Sequence, residues 1–284
     1  MVALTDYAGL NPAWCPGCGD FGILRSLNRA LVELNLEPNQ ILLVSGIGQA
    51  GKLPHYTKGN VFNSLHGRPL PVAVGAKIAN PTLKVIAISG DGDAYGEGGN
   101  HFVHTARRNH SLTYLVHDNQ VYGLTKGQTS PTSDQGFVTG STPDGATAPV
   151  NPVLMALASG ATFVARSFAG DIGHLSSTIK RGILHKGFAV IDILQPCVTF
   201  NHKNTYAWYQ QRVYKIGEGD GFNSSDKEAA LKKAQEWGDR IPIGVFYQVE
   251  APTYEDGLPA LAAGPLAEQA IDPLAVGRLL NEFA

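Results

Sequence analysis

The sequence predicts an α/β fold with a doubly wound, mostly parallel sheet and a C-terminal extension, and three observations carry the prediction. Val85, Ile86, Ala87 and Ile88 form a short apolar run that ends in Ser89, Gly90, Asp91, Gly92 and Asp93, the pattern of a buried parallel strand with a turn at its carboxyl end. Residues 112–118 repeat that pattern and end in oxygen donors, the amide of Asn119 and the main-chain carbonyl of Val121. Between them, residues 98–109 have helix length and carry the apolar Phe102, Val103 and Ala106, so the unit reads strand, helix, strand with a right-handed crossover. Ligands bind such sheets beyond the carboxyl ends of the strands. There Gly90 and Gly92 let the backbone turn and approach a phosphate, and Asp91 offers the hard oxygen that Mg²⁺ takes alongside phosphates. Two neighbouring strand ends can therefore converge on one metal.

The rest of the composition narrows the class. A chain of 284 residues with 43% hydrophobic residues has ample material for a sizeable core. A net charge of -2 gives no electrostatic footprint for nucleic acid or an anionic membrane. No run approaches the roughly 20 apolar residues of a membrane-spanning helix, and no basic segment with an apolar core opens the chain, so a cytoplasmic location is expected. Three cysteines are too few and too odd in number for a disulfide framework, which turns attention to metal or redox use.

Taken in order, residues 1–13 read as an extended arm. Trp14, Cys15, Pro16, Gly17, Cys18, Gly19 and Asp20 then precede a helix over residues 21–33. Cys-x-x-Cys in a Pro-Gly turn brings two thiols close enough to share a metal centre, which suits zinc, a dithiol or an iron-sulfur cluster; the plain alternative is two inert buried thiols. A zinc ribbon needs a second pair, which is missing. Cys197 follows another strand-like run, residues 188–194, and can be carried to the same place. Residues 41–45 form the first strand, which ends in Gly46, Ile47, Gly48, Gln49, Ala50, Gly51 and Lys52.

These segments together resemble the beta subunit of a 2-oxoacid:ferredoxin oxidoreductase. The resemblance rests on the Trp-Cys-Pro-Gly-Cys-Gly-Asp segment, on Gly46 to Tyr56, on His66-Gly67-Arg68, on Gly90 to Ala94, on Gly99-Asn100-His101 and on Asp118 to Gln128, with matches in order from residue 14 to about 250. It implies the diphosphate-domain type of thiamine diphosphate fold. It also implies an enzyme that decarboxylates a 2-oxoacid such as pyruvate or 2-oxoglutarate, passes electrons singly through a [4Fe-4S] cluster to ferredoxin, and delivers the acyl group to coenzyme A. By the same resemblance Asp91, Asn119 and Val121 would hold Mg²⁺, while Gly92, Asp93, Gly123, Leu124 and Thr125 would line the diphosphate. Ile47, Gly48 and His66 would flank the thiazole and pyrimidine rings, with Lys52 and Lys126 facing substrate. Cys15, Cys18 and Cys197 would ligate the cluster.

A lysine suits both the carboxylate of a 2-oxoacid and the phosphates of coenzyme A, although on residue type alone a solvated surface lysine is the expectation. His101 and His104 lie three apart on a helix but have no acidic companion, and are taken as surface or packing residues. Two departures from the family pattern stand out. Relatives that hold a cluster commonly carry cysteine where Gln49 stands, leaving three of the usual four thiolates, and Tyr95-Gly96-Glu97 is less apolar than expected. The fourth ligand is then a non-cysteine group, a partner's cysteine, or missing.

Residues 138–149 read as a loop near the site. A helix over 151–159, a strand over 162–166, a helix over 171–186 and a strand over 188–194 continue the alternation. Beyond Cys197 come a helix from Asn204 through Tyr209, a helix over 225–237, a strand over 242–247 and a tail from Pro252. Residues 1–200 are thus expected to form the cofactor-binding domain and residues 201–284 an extension that packs on it or on a partner. Nothing in the chain resembles a pyrimidine-binding domain, so a partner alpha subunit supplying one, in a hetero-oligomer, is expected. A non-redox thiamine decarboxylase or synthase subunit and a zinc-binding scaffold are the alternatives.

Overall fold

The computed structural model describes residues 1–217, 219, 221–270 and 273–283. Helix α1 (Asp20–Glu33) is followed by strands β1 (Ile41–Ser45) and β2 (Asn60–Asn63), helix α2 (Pro69–Ala79), strand β3 (Lys84–Gly90), helix α3 (Gly99–Arg108) and strand β4 (Leu112–Asp118). The chain then forms a small hairpin of β5 (Val121–Tyr122) and β6 (Gln128–Thr129), helix α4 (Pro152–Ser159), strand β7 (Phe163–Phe168), helix α5 (Ile172–Leu184) and strand β8 (Phe188–Leu194). Helix α6 (Tyr206–Gln210), strand β9 (Val213–Lys215), helix α7 (Lys227–Ala234), strand β10 (Ile241–Gln248) and helix α8 (Pro273–Glu282) complete it.

Eight strands make one sheet in the order β2-β1-β3-β4-β8-β7-β10-β9. All pairings are parallel except that of β10 with β7, which fits the doubly wound, mostly parallel sheet read from the sequence. The alternation of side chains along each strand divides the core in two. Along β3, Ile86 and Ile88 face a cluster with Ile23, Leu27 and Leu31 of α1 and Leu175 and Ile179 of α5. Val85 and Ala87 face the other cluster, with Phe102 and Ala106 of α3, Val153 and Leu157 of α4, and Ala230 and Ala234 of α7. Each fully buried Leu or Ile contributes about 1.5–3 kcal/mol, so both helical layers are held mainly by these stripes.

Helix ends follow local chemistry. Asn151, Asp171 and Asp226 cap α4, α5 and α7 by accepting main-chain N–H bonds from Leu154, His174 and Ala229, satisfying donors that a helix start leaves open. Asn109 ends α3 in the left-handed conformation, φ 54°, as Asn tolerates. Its side-chain oxygen then accepts from Phe188 N and Thr162 Oγ1, pinning the helix end to β8 and to the turn before β7.

Three features differ from the sequence reading. The arm over residues 1–13 is not simply extended: residues Leu4–Tyr7 make a 3₁₀ turn, and Tyr7 is fully buried with its hydroxyl donating to Leu36 O at 2.7 Å. Strand β2 and helix α2 are additional. Two prolines, Gly75 and a lysine on the inner face hide α2 from periodicity: Leu70, Ala73 and Lys77 are among its buried side chains, and the Lys77 ammonium caps Pro81 O and Leu83 O at 2.7 and 2.9 Å. Residues Gly92–Glu97 form a π-helical turn that runs into α3, a local irregularity frequent at functional sites. Among the described residues no helix is long and apolar enough to cross a membrane.

Candidate functional site

The parallel order places the carboxyl ends of β1, β3 and β4 side by side, and one cleft lies across them. It is lined by Ile47, Gly48 and Gln49 after β1, by His66 after β2, by Asp91, Gly92 and Asp93 after β3, and by Asn119, Val121, Tyr122, Gly123, Leu124 and Thr125 after β4. Residues far apart in the chain are brought together because each follows a neighbouring strand. Lys52 and Lys126 are not among the lining residues. Lys52 is half-buried in the 3₁₀ segment Ala50–Tyr56, and Lys126 is exposed with φ 82°. His101 is half-buried and His104 exposed on α3.

Asp91 is 1% exposed, and burial lifts its carboxyl to about 6 against hydrogen bonds from Ser130, Thr132 and main-chain N–H groups. Thr132 Oγ1 stands 2.6 Å from Asp91 Oδ2 and 2.7 Å from Asp118 Oδ1. A hydroxyl has one proton to donate, so one of these carboxyls must itself be an acid. Asp118 is pushed well above the usual range by burial and by the neighbouring Asp192 and Asp91, and of the two carboxyls it is Asp91 that lines the cleft.

Past β4, Gln120 adopts φ 60°, and the turn it makes lets Asn119 and Val121 line the same cleft. Asn119 Oδ1 accepts from Val121 N at 3.0 Å, and Asn119 O accepts from Asn201 Nδ2 at 3.2 Å. Asp93 lines the cleft too, but its oxygens are engaged by protein donors: Ile47 N at 3.0 Å, Gly67 N at 2.7 Å, His66 Nδ1 at 2.8 Å and the Ser89 hydroxyl. It fastens the loops after β1 and β2 over the end of β3 and fixes the His66 ring. Two glycines are required by contact. A Cβ on Gly46 would fall 1.8 Å from Asp93 Oδ2, and one on Gly92 would fall 2.1 Å from the Tyr122 ring. Gly92→Ala is therefore expected to expel Tyr122 from the cleft floor and to cost about 1–3 kcal/mol, read as a lower denaturation midpoint together with weaker cofactor binding.

The donors suit a magnesium diphosphate. Asp91, Asn119 and the Val121 carbonyl are all hard oxygens of the kind Mg²⁺ takes, a buried carboxyl held near 6 is one that a cation stabilises, and bare glycine backbone flanks it. Main-chain N–H groups at the start of the helical unit from Gly92 favour an anion.

The Cys-x-x-Cys turn and the segment carrying Cys197 meet beyond the carboxyl end of β8, beside this cleft's strand ends. Cys18 N donates to Cys15 O, and Gly19 N donates to Pro196 O at 3.1 Å, which ties the Cys-x-x-Cys turn to the segment carrying Cys197. Cys15 is exposed, and Cys18 and Cys197 are half-buried. Burial, Asp20 and Cys197 together push the Cys18 thiol up. Gln49 is near: its main-chain carbonyl accepts from Trp14 Nε1 at 2.9 Å, and its side-chain Oε1 is buried without a partner. Among the described residues no three His, Cys, Asp or Glu side chains are grouped about a single metal ion. Three thiols at one edge nevertheless match the donor type of an iron-sulfur cluster.

Several members of this neighbourhood carry no sequence signal of their own. Tyr122 stands inside the motif after β4 but has no role that its residue type announces. Thr132 lies in a Ser-Pro-Thr-Ser stretch with neither periodicity nor motif. His117, fully buried, meets Asp20 Oδ1 through Nδ1 at 2.7 Å, and only β4 and α1 packing brings them together.

Comparisons with known proteins give the family. A family model described as "Thiamine pyrophosphate enzyme, C-terminal TPP binding domain" matches residues 46–193, and one for the C terminal of the pyruvate ferredoxin oxidoreductase beta subunit matches residues 197–263. The chain is 47% identical over 276 residues to a 2-oxoacid:ferredoxin oxidoreductase subunit beta of Saccharolobus solfataricus, covering 91% of this chain and 90% of that one. It is 50% identical over 256 residues to subunit beta of 2-oxoacid:ferredoxin oxidoreductase 1 of Aeropyrum pernix, covering 86% and 80%. A solved structure of 2-oxoglutarate:ferredoxin oxidoreductase from Magnetococcus marinus, with 2-oxoglutarate, coenzyme A and succinyl-CoA bound, superposes with a TM-score of 0.91 at 37% identity over 98% of this chain and 96% of that one. The chain belongs to the beta subunits of the 2-oxoacid:ferredoxin oxidoreductases, within the thiamine diphosphate enzymes.

Proposed function

We propose that this beta subunit grips thiamine diphosphate through Mg²⁺ and, with a partner alpha subunit, converts a 2-oxoacid and coenzyme A to acyl-CoA and CO₂, passing electrons singly through an iron-sulfur cluster to ferredoxin. The observation that carries the reading is the convergence of Asp91, Asn119 and Val121 on one cleft whose neighbouring edge holds all three cysteines. Thiamine diphosphate, when bound, supplies the nucleophilic carbon and the electron sink for decarboxylation.

This chain's residues supply position and charge. Asp91, Asn119 and the Val121 carbonyl would hold the metal, with the backbone at Gly92, Gly123, Leu124 and Thr125 beside the diphosphate. Asp93 holds the Ile47 main chain and the His66 imidazole, the latter through Nδ1, and so would set both beside the cofactor's rings. Cys15, Cys18 and Cys197 would hold the cluster. Lys52 and Lys126 do not line the cleft, and a role for them toward substrate rests on the family resemblance alone.

A partner is supported by the cleft rim, where Ile47, Leu65 and Leu124 are 40%, 72% and 44% exposed. Apolar side chains around a polar cleft mark a surface that another chain covers. Residues 1–200 are taken as the cofactor-binding domain, and residues 201–284 as an extension whose β9 and β10 lengthen the sheet.

The test is reconstitution under anaerobic conditions. The chain with its partner should be coloured, contain iron, and reduce ferredoxin or viologen with pyruvate or 2-oxoglutarate in the presence of coenzyme A, whereas the isolated chain should not turn over. Decarboxylation without iron or acceptor reduction would instead favour the non-redox reading that Gln49 keeps open. Cys197→Ser should remove the iron signal as Cys15→Ser or Cys18→Ser does, and an unaltered EPR spectrum would exclude Cys197 as a ligand.

A further inference from the structure

Gln195 stands where the two candidate centres meet. Its main-chain N–H donates to Asp118 O at 2.8 Å, joining it to the strand end that continues into Asn119. Its side chain turns the other way, to the cysteines: Nε2 donates to Cys18 Sγ at 3.3 Å and to Pro196 O at 3.1 Å. An amide nitrogen has two hydrogens, so both bonds form together and fix the group's orientation. Gln195 is 2% exposed, and a Cβ on Gly19 would come within 2.6 Å of its Cγ, so the Cys-x-x-Cys turn is packed directly on it. The same sulfur meets Asp20 Oδ2 at 3.4 Å, and Asp20 is held by His117.

These two neighbours act differently once a metal has replaced the proton on the sulfur, the proton leaving to solvent. Asp20 only accepts a hydrogen bond from the thiol, and a sulfur without its proton offers it nothing to accept. The Gln195 N–H remains a donor, and a sulfur that carries more negative charge takes the bond more strongly. We infer that Gln195 is a positioning residue that sets the reduction potential of the centre held by Cys18, through an N–H···S hydrogen bond. The inference rests on the iron-sulfur reading of the cysteines.

An iron-sulfur centre gains one negative charge when reduced, and part of that charge lies on its sulfurs. A fixed donor therefore stabilises the reduced state more than the oxidised one, and hydrogen bonds to sulfur are among the features that set cluster potentials. Gln195 also spans the short path between β4, which leads into the cofactor cleft, and the cysteine edge, so it acts where electrons would leave the cleft.

The test compares wild type with Gln195→Leu and with the isosteric Gln195→Glu, each purified anaerobically with the partner subunit. Iron content, EPR spectrum, thiamine diphosphate affinity and the midpoint potential of the cluster are measured. Both variants should keep the wild-type iron content and cofactor affinity while the midpoint falls by about a tenfold change in the one-electron equilibrium, about 59 mV. The fall should be larger for the glutamate, which replaces a donor with an acceptor.

Unchanged midpoints with intact iron would overturn the inference and leave the cluster reading standing. Loss of iron in both variants would overturn it in favour of a purely structural role. A wild-type enzyme without iron would overturn the cluster reading and this inference with it.

Discussion

Asp91→Ala should abolish magnesium-dependent binding of thiamine diphosphate. The substitution removes the one carboxylate among the proposed donors from a metal that demands near-octahedral oxygen ligation. Losing a residue that merely supports a ligand costs about 10–100-fold in metal affinity, so losing the ligand itself should weaken binding by more than about 100-fold. Asn119→Ala should follow in the same direction. Calorimetry with Mg²⁺ and thiamine diphosphate decides it, and unchanged affinity in the Asp91 variant would sink the metal assignment.

The same carboxyl gives a pH signature. Burial holds Asp91 near 6, and a cation must displace its proton below that pH. Metal affinity should therefore be flat above about 6 and fall about tenfold per pH unit below it. Without metal the sign reverses. A folded-state value raised above the ordinary carboxyl value favours folding at low pH, and that contribution is lost as pH rises through about 6. The metal-free chain should thus gain less from neutral pH than the loaded one, which thermal denaturation with and without Mg²⁺ at about pH 5 and about pH 8, on either side of that value, would read.

Arg166→Met should give the largest loss of stability. Arg166 is 1% exposed, its Nε meets Asp192 Oδ2 at 3.2 Å, and its guanidinium stands 5.3 Å from the Trp237 ring and 5.6 Å from that of Phe246. Burial raises the Asp192 carboxyl and Arg166 opposes the shift. Methionine fills much of the volume but leaves that carboxyl with only the Tyr95 hydroxyl, 3.1 Å away, and no opposite charge; breaking a buried pair from one side costs about 3–5 kcal/mol. At about 2–4 °C per kcal/mol for a chain of this size, the midpoint should fall by roughly 6–20 °C. Adding Asp192→Asn should recover much of the loss, because it removes the stranded charge. If the single variant melts with wild type, the pair carries no such weight.

The sheet and most of its helices were legible because their causes are local. Continuous apolar runs at residues 85–88 and 188–194 can be satisfied only between two helical layers, and caps such as Asp171 and Asn151 announce their helices. The strand-end glycines and Asp91 were legible for the same reason, since a turn after a buried strand needs those residue types.

Other features required the folded chain. Helix α2 escaped because its buried face includes a lysine whose charge is met by carbonyls of the following turn. The antiparallel entry of β10 beside β7 escaped because a strand's residues do not specify its direction. Thr132 entered the site from another loop, and its place between Asp91 and Asp118 has no mark in the sequence. Cys197 shows the division within one residue. The sequence determined its thiol and its place after a strand, whereas its meeting with Cys18 was decided by the pairing of β8 beside β4 and the Gly19 to Pro196 hydrogen bond, because only the order of strands in the sheet sets which strand ends become neighbours.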